Sequence, residues 1–376
     1  MDFGVPFADV KSSGEVLKGK FPRPLLSYYK GREKYSFNVY LFWIPQHSPL
    51  TPYLYNSSSL PIIYIFEPSS VDWGFQSLAN MEHRPAKIAV IVVTLIIFIV
   101  TAVLNAYASQ PESSSGIYTT TMSNVSNEFM TGVTPARWTF GIWGVIYFWM
   151  AAWIIYCHAA IFIKWDGDYL YKHDVFAPSI FFILYSINLI LNFTWLILFD
   201  RKHIVAALFV LLALAITAVA CLCIAMYAFK KGMQNIAREE FKLHFWLIQL
   251  LMFNGIACYA TWLTVATNLN LNIAMTYAWD FNGDTVILII LLFIGAAIIS
   301  ADMIIFEKHT IYVITPYIVL VVALYGVVDE HVDIEDLSRI GIFMIVVLAL
   351  FCGGLLYKIV STIWNHFRCR RPAALI

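Results

Sequence analysis

The sequence predicts an all-α polytopic membrane protein with eight transmembrane helices, and three observations predict it. The chain is 60% hydrophobic and only 13% charged, with a mean hydropathy of +0.72, whereas a soluble domain is about 45–50% apolar and about 25% charged. Eight apolar segments reach the roughly 20 residues that a spanning helix needs. The 24 basic and 24 acidic residues cancel and fall almost wholly between those segments. No basic field points to nucleic acid, so partners are sought in the lipid bilayer and among apolar ligands.

In chain order, residues 1–80 contain apolar runs, such as 39–44 and 60–66, that are too short to span and are broken by prolines. They carry neither a secretory signal nor a transit pattern and are expected to form a poorly ordered cytosolic extension. Met81 then opens MEHRPAKIAVIVVTLIIFIV, the basic-then-apolar start of a signal anchor and an alternative start of the natural protein. The spans follow at roughly 87–108, 137–163, 175–199, 203–229, 243–269, 284–305, 310–328 and 338–362. Only Asp200-Arg201-Lys202-His203 separates the third from the fourth, which predicts a tight helical hairpin. The chain divides into the 1–80 extension, a membrane core over 81–275, three further helices over 276–362 and a basic cytosolic tail over 363–376.

Orientation follows from Lys and Arg in the short loops. Arg84 and Lys87, then Lys230, Lys231, Arg238 and Lys242, then Arg368, Arg370 and Arg371 all fall on one side of an eight-span chain. The other side carries Asp280, Asp284 and the acidic loop from Asp329 to Asp336. Both termini are therefore expected in the cytosol, with Arg201 and Lys202 as the one violation. Asn124-Val125-Ser126, on the far side, is a glycosylation sequon, and it favours an endomembrane or plasma-membrane location over the mitochondrial outer membrane. Five of the six cysteines lie inside apolar runs and read as buried hydrophobes rather than disulfides or metal ligands.

Three spans combine aromatics with amides. In the second, Phe140, Trp143 and Tyr147 recur at helical spacing and share a face. Gly141 and Gly144 beside them are expected to admit a neighbouring helix. In the third, Asn188, Asn192 and Trp195 form a stripe, and in the fifth Tyr259, Trp262, Ala266 and Asn270 form another. Buried amides in hydrocarbon must find partners, so these stripes are expected to face the bundle interior. One residue at a time, interhelical glue and interfacial anchoring are the commoner explanation, and three such faces in one chain weigh against it.

These blocks resemble the TspO/MBR family of tryptophan-rich sensory proteins and translocator proteins. YxxWxxxATxLN, here Tyr259, Trp262, Ala266, Thr267, Leu269 and Asn270, is the most specific match; Leu191-Asn192 with Trp195 and Phe199 is the second. The block from Pro135 to Tyr147 departs by one residue, since Phe140 and Trp143 are three apart where the best-known members have four. That form looks like a divergent branch of larger relatives with extra C-terminal helices. The resemblance covers residues 87 to about 275 and implies a five-helix bundle whose cavity, closed by the loop after the first helix, takes tetrapyrroles or lipids. It places ligand-facing positions at Trp143, Asn192, Trp195, Trp262 and Ala266. The family's sterol motif needs a basic residue that 270–281 lacks.

The expected function is a membrane receptor, carrier or sensor for a hydrophobic planar ligand, a porphyrin or haem bound as ligand rather than as resident cofactor. The expected site comprises Phe140, Trp143, Tyr147, Asn192, Trp195, Tyr259, Trp262, Ala266 and Asn270. Arg137 is a candidate contact for a ligand carboxylate and otherwise snorkels to the interface; Trp138, Trp149 and Trp153 are expected to serve lipid and neighbouring helices. A homodimer is a further expectation. The rival class is a multi-pass transporter or channel, suggested by the extra helices, by Asp302 in the sixth span and by Pro316, read as a kink in the seventh. A porphyrin-degrading enzyme ranks last, because no acid, base and nucleophile set is evident.

Overall fold

The computed structural model describes residues 26–30, 33–37, 83–108, 116–236, 240–304 and 311–368. The chain separates into two units, Met1–Ala79 and Asn80–Ile376. In the first, β1 (Leu26–Lys30) pairs antiparallel with β2 (Glu33–Phe37). The rest of the expected 1–80 extension lies outside the described residues.

The second unit is helical. α1 (Pro85–Ala108) is followed by a short α2 (Met122–Glu128), then by a tight 3-10 turn, Arg137–Gly141, that runs into α3 (Ile142–Ala159). A small hairpin, β3 (Lys164–Trp165) with β4 (Asp168–Tyr169), turns through Asp166 and Gly167, both at positive φ. An Asp-Gly pair suits such a two-residue turn. α4 (Ser179–Asp200) and α5 (Ile204–Gly232) form the expected helical hairpin, with Lys202 at φ 59°. α6 (Lys242–Tyr277), α7 (Asp284–Ile304), α8 (Thr315–His331) and α9 (Arg339–Arg368) complete the unit.

Six of these helices, α1, the 3-10 turn with α3, α4, α5, α6 and α9, are long and apolar enough to cross a membrane. α7 offers a shorter apolar stretch, Asp284–Ser300, and α8 has 17 residues. α6 is the central element: 67% of its apolar window is buried, against 22% for α1 and α9. α3, α5, α7 and α8 all pack on it, while α1 rests against α3 and α4, and α9 against α7 and α8. The outward faces of α1, α3 and α9 carry exposed Ile96, Phe148, Ile155, Leu356 and Val360, as lipid contact requires.

Several boundaries move for identifiable reasons. α6 runs eight residues past the fall in hydropathy at 269, because its late amides find partners: Asn268 Nδ2 donates to the Thr264 carbonyl (2.7 Å) and Asn272 Nδ2 to Asp284 Oδ1 (2.7 Å). Pro316 does not kink the seventh helix; it sits in the first turn of α8, where a missing N–H costs nothing. α9 continues to Arg368, so the first residues of the expected tail are helical, and 369–376 lie outside the described residues. The side chain of Asp302 lies outside them as well.

The glycine expectation is corrected. A Cβ on Gly141 or Gly144 would meet nothing within 4 Å, so no helix closes on them. Close approach occurs instead at Gly255, beneath the Trp149 and Trp153 rings, and at Gly326 on α8, against the Thr139 side chain. Among the described residues the five cysteines are free.

A π-helical stretch, Ile248–Phe253, interrupts α6. It releases carbonyls from the regular ladder: Trp149 Nε1 donates to the Leu250 carbonyl (3.0 Å) and Asn254 Nδ2 to that of Gln249 (2.8 Å). Asn254 Nδ2 also donates to the Tyr312 carbonyl (2.8 Å), while its Oδ1 accepts from the Ile314 N–H (2.9 Å) and the Thr315 N–H (3.3 Å). One buried amide thus caps α8 and fastens it to the core.

Candidate functional site

The start of α3, the C-terminal half of α4 and the C-terminal half of α6 converge on one cavity. Trp143 is its centre. Its ring lies 6.0 Å from Trp195 at 28°, 6.2 Å from Trp262 at 90° and 6.1 Å from Tyr147 at 28°. Trp195 stacks in turn on Phe199 at 5.5 Å. Offset and edge-to-face pairs at such separations are favourable beyond their buried area. Of the expected site residues, Phe140, Trp143, Trp195, Trp262, Ala266 and Asn270 line the cavity.

Tyr147, Asn192 and Tyr259 share those helix faces but do not line it. They form a buried hydrogen-bond chain. The Tyr147 hydroxyl and Asn105 Nδ2 both donate to Asn192 Oδ1 (3.0 Å each). Asn192 Nδ2 donates to the Tyr259 oxygen (3.4 Å), whose hydroxyl donates to Asn188 Oδ1 (2.8 Å). Asn188 Nδ2 ends the chain on the Leu214 carbonyl (2.8 Å) and Thr217 Oγ1 (2.7 Å). This is polar glue joining α1, α3, α4, α5 and α6, the ordinary alternative that the sequence left open. Arg137 is exposed and does not line the cavity. Trp138 donates to Asp329 (2.8 Å), whereas Trp153 is fully buried against Phe181 and Tyr185.

Sequence reasoning missed the lid. Met122, Ser126, Thr131 and Thr134, from α2 and the turn after it, cover the cavity. No apolar period marks them; only the implied closure by the loop after the first helix anticipated this. Leu269 and Ile273 also line it and were legible, because they continue the α6 stripe at seven and eleven residues beyond Trp262.

Asp200 ties the lid down. Buried at the end of α4, its carboxylate accepts from the Thr119 N–H (2.9 and 3.0 Å), the Thr120 N–H (3.0 Å) and Thr119 Oγ1 (3.1 Å). Burial, and then the nearby Asp200 charge, push the Tyr118 phenol up to about 12. Arg201 Nη2 donates to the Ile117 carbonyl (3.1 Å), and Lys202 pairs with Glu128 (2.6 Å). The two cations that violate the loop-charge pattern thus have local work holding the lid. From the other side, His331 Nε2 lies 2.8 Å from the Thr134 carbonyl, and the Ala136 N–H donates to that of Gly326 (2.8 Å).

The cavity holds about 50 Å³. Pockets for drug-sized ligands run to about 300–1,000 Å³, so a macrocycle enters only if the lid lifts or the indoles turn. Three of its lining residues keep a buried polar atom without a hydrogen-bond partner: Trp195 Nε1, Trp262 Nε1 and Asn270 Oδ1. Among the described residues no cluster of His, Cys, Asp and Glu could hold a metal ion.

A helical membrane bundle with an aromatic-walled cavity under a short lid defines the class. Comparison with protein families makes it particular: residues 90–357 match the family described as TSPO-like protein, and the chain belongs to that family. It is an integral membrane protein of TspO type. The matched range takes in α7, α8 and most of α9, which the sequence blocks had left outside the resemblance. Comparison with curated proteins and with solved structures returns no match.

Proposed function

We propose that the chain is an eight-span membrane receptor, carrier or sensor that takes a hydrophobic planar ligand, a tetrapyrrole or a lipid, into the aromatic cavity. One observation carries the reading: three indoles converge in the cavity wall, and two of them keep buried, unpartnered N–H groups in the same lining as the equally unpartnered Asn270 carbonyl oxygen. Leaving such a group unsatisfied costs about 1–3 kcal/mol, which a ligand carrying both acceptors and a donor recovers. Flat indole faces suit a planar ring system, and small Ala266 leaves room for its edge.

Titrating the purified protein with protoporphyrin while following tryptophan fluorescence tests this. Saturable quenching is expected in the wild type, with affinity at least tenfold weaker in Trp262→Ala and in Trp143→Ala. Both variants binding like the wild type would sink the proposal. We further place both termini in the cytosol and the chain in an endomembrane or the plasma membrane. Asn124 is exposed on α2, so a glycan at that residue is expected in eukaryotic cells, and its absence together with cytosolic labelling of the lid would reverse the orientation.

A further inference from the structure

A second pocket opens at the other end of the bundle, at the start of α1, the start of α4 and the end of α5. It holds about 620 Å³. Arg84, Lys87, Lys172 and Lys231 line it, with Asp174 as its one acidic lining residue. Lys172 is matched by Asp168 at 2.8 Å. Among the described residues Arg84, Lys87 and Lys231 enter no ion pair, so the pocket is cationic. Lys87 is half-buried, its Nζ 5.9 Å over the Phe176 ring, whereas Arg84 and Lys231 are exposed.

The wall farther along α4 and α5 is different. Ile180, in the first turn of α4, is 55% exposed and Tyr227, on α5, is 70% exposed; Ile224 lies one turn beyond Tyr227. From Lys231 to Ile224 is seven residues, about 10 Å along the helix, so the wall passes from cation to apolar side chain within two turns. A soluble anion needs the cations alone. An occupant with an anionic head and an apolar tail uses both surfaces, and a membrane protein meets such molecules at this depth.

We propose that this pocket binds the phosphate-bearing headgroup of an anionic phospholipid, with its acyl chains along Ile180, Ile224 and Tyr227. The site is separate from the aromatic cavity and stands whether or not that cavity takes a porphyrin. Each basic side chain near an anionic headgroup adds to the attraction, so removing two exposed ones gives a measurable loss without touching the core.

The test is thermal unfolding of the full-length protein in uncharged detergent with dioctanoyl phosphatidylserine, dioctanoyl phosphatidylcholine or inorganic phosphate. Phosphatidylserine is expected to raise Tm saturably, and the other two to leave it unchanged at equal concentration. Arg84→Gln with Lys231→Gln should weaken phosphatidylserine binding at least tenfold, and Tyr227→Ala severalfold. Lys230→Gln with Lys242→Gln, which removes equal charge outside the pocket, should leave it intact. Equal binding of phosphatidylcholine, equal binding of inorganic phosphate, or equal loss in the Lys230/Lys242 pair would each overturn the proposal. All variants replace exposed or half-exposed side chains, and unchanged circular dichroism verifies that they fold.

Discussion

The two ends of α4 bear on two unlike pockets. Near its C-terminus Trp195 and Phe199 wall a cavity of about 50 Å³ under a lid; near its N-terminus Ser179 and Ile180 border an open, cationic pocket of about 620 Å³. They stand 16 residues apart, about 24 Å of helix. Between them Phe181 and Tyr185 pack on Trp153, and Phe182 on Phe181, all fully buried, so a solid layer stands between the two pockets. The difference teaches where each chemistry is affordable. Charge is kept at the helix ends, where water and headgroups solvate it, while the interior between the helices is left to aromatic faces and amides.

Asp200→Ala should break the contrast most. It leaves the Thr119 and Thr120 N–H groups without their acceptor and Arg201 without its nearby anion, a loss of about 3 kcal/mol or more, since one hydrogen bond to a charged group is worth about 1.5–3 kcal/mol. A large fall in Tm and faster proteolysis within 116–136 are expected, with phosphatidylserine binding at the other end unchanged. If the lid is no more cleavable than before, Asp200 does not anchor it. Ala266→Leu sharpens the contrast at smaller cost. The added methylenes fill the small cavity, so protoporphyrin quenching should be lost while stability shifts by about 1–3 kcal/mol; retained quenching would place the ligand elsewhere.

The smallest effect concerns Tyr118, whose hydroxyl is buried without a partner. Its phenol titrates near 10 when unfolded and about 12 in the fold. The folded state therefore disfavours the anion, and this contribution is intact below pH 10 and lost as pH rises from 10 toward 12. Tyr118→Phe should be neutral or slightly stabilising at pH 7 and should flatten the fall in Tm across that window. An unchanged alkaline slope would assign the loss to other groups.

Much of this was legible in the residues. Six helices long and apolar enough to cross a membrane stand where apolar runs predict spans, the Asp200–His203 hairpin turns as expected, and six of nine expected site residues border one cavity. Tyr147, Asn192 and Tyr259 were given the right face but not the right depth. Periodicity reports direction around a helix, whereas the level at which two helices meet depends on their packing, and these three meet one another. Gly141 and Gly144 fail for a related reason: a glycine permits close approach without supplying a neighbour.

The sequence by itself determined which segments are apolar enough to leave water and which stripes turn inward, because hydropathy and helical period are local properties of the chain. Only the tertiary structure decided the partners: Asp200 with the lid, Asn254 with the cap of α8, Arg84 with Lys231 beside an apolar wall. These bring together residues 60 to 147 positions apart, chosen by shape and, for Asp200 and Asn254, by the need of a buried polar group for a counterpart, which no local pattern records.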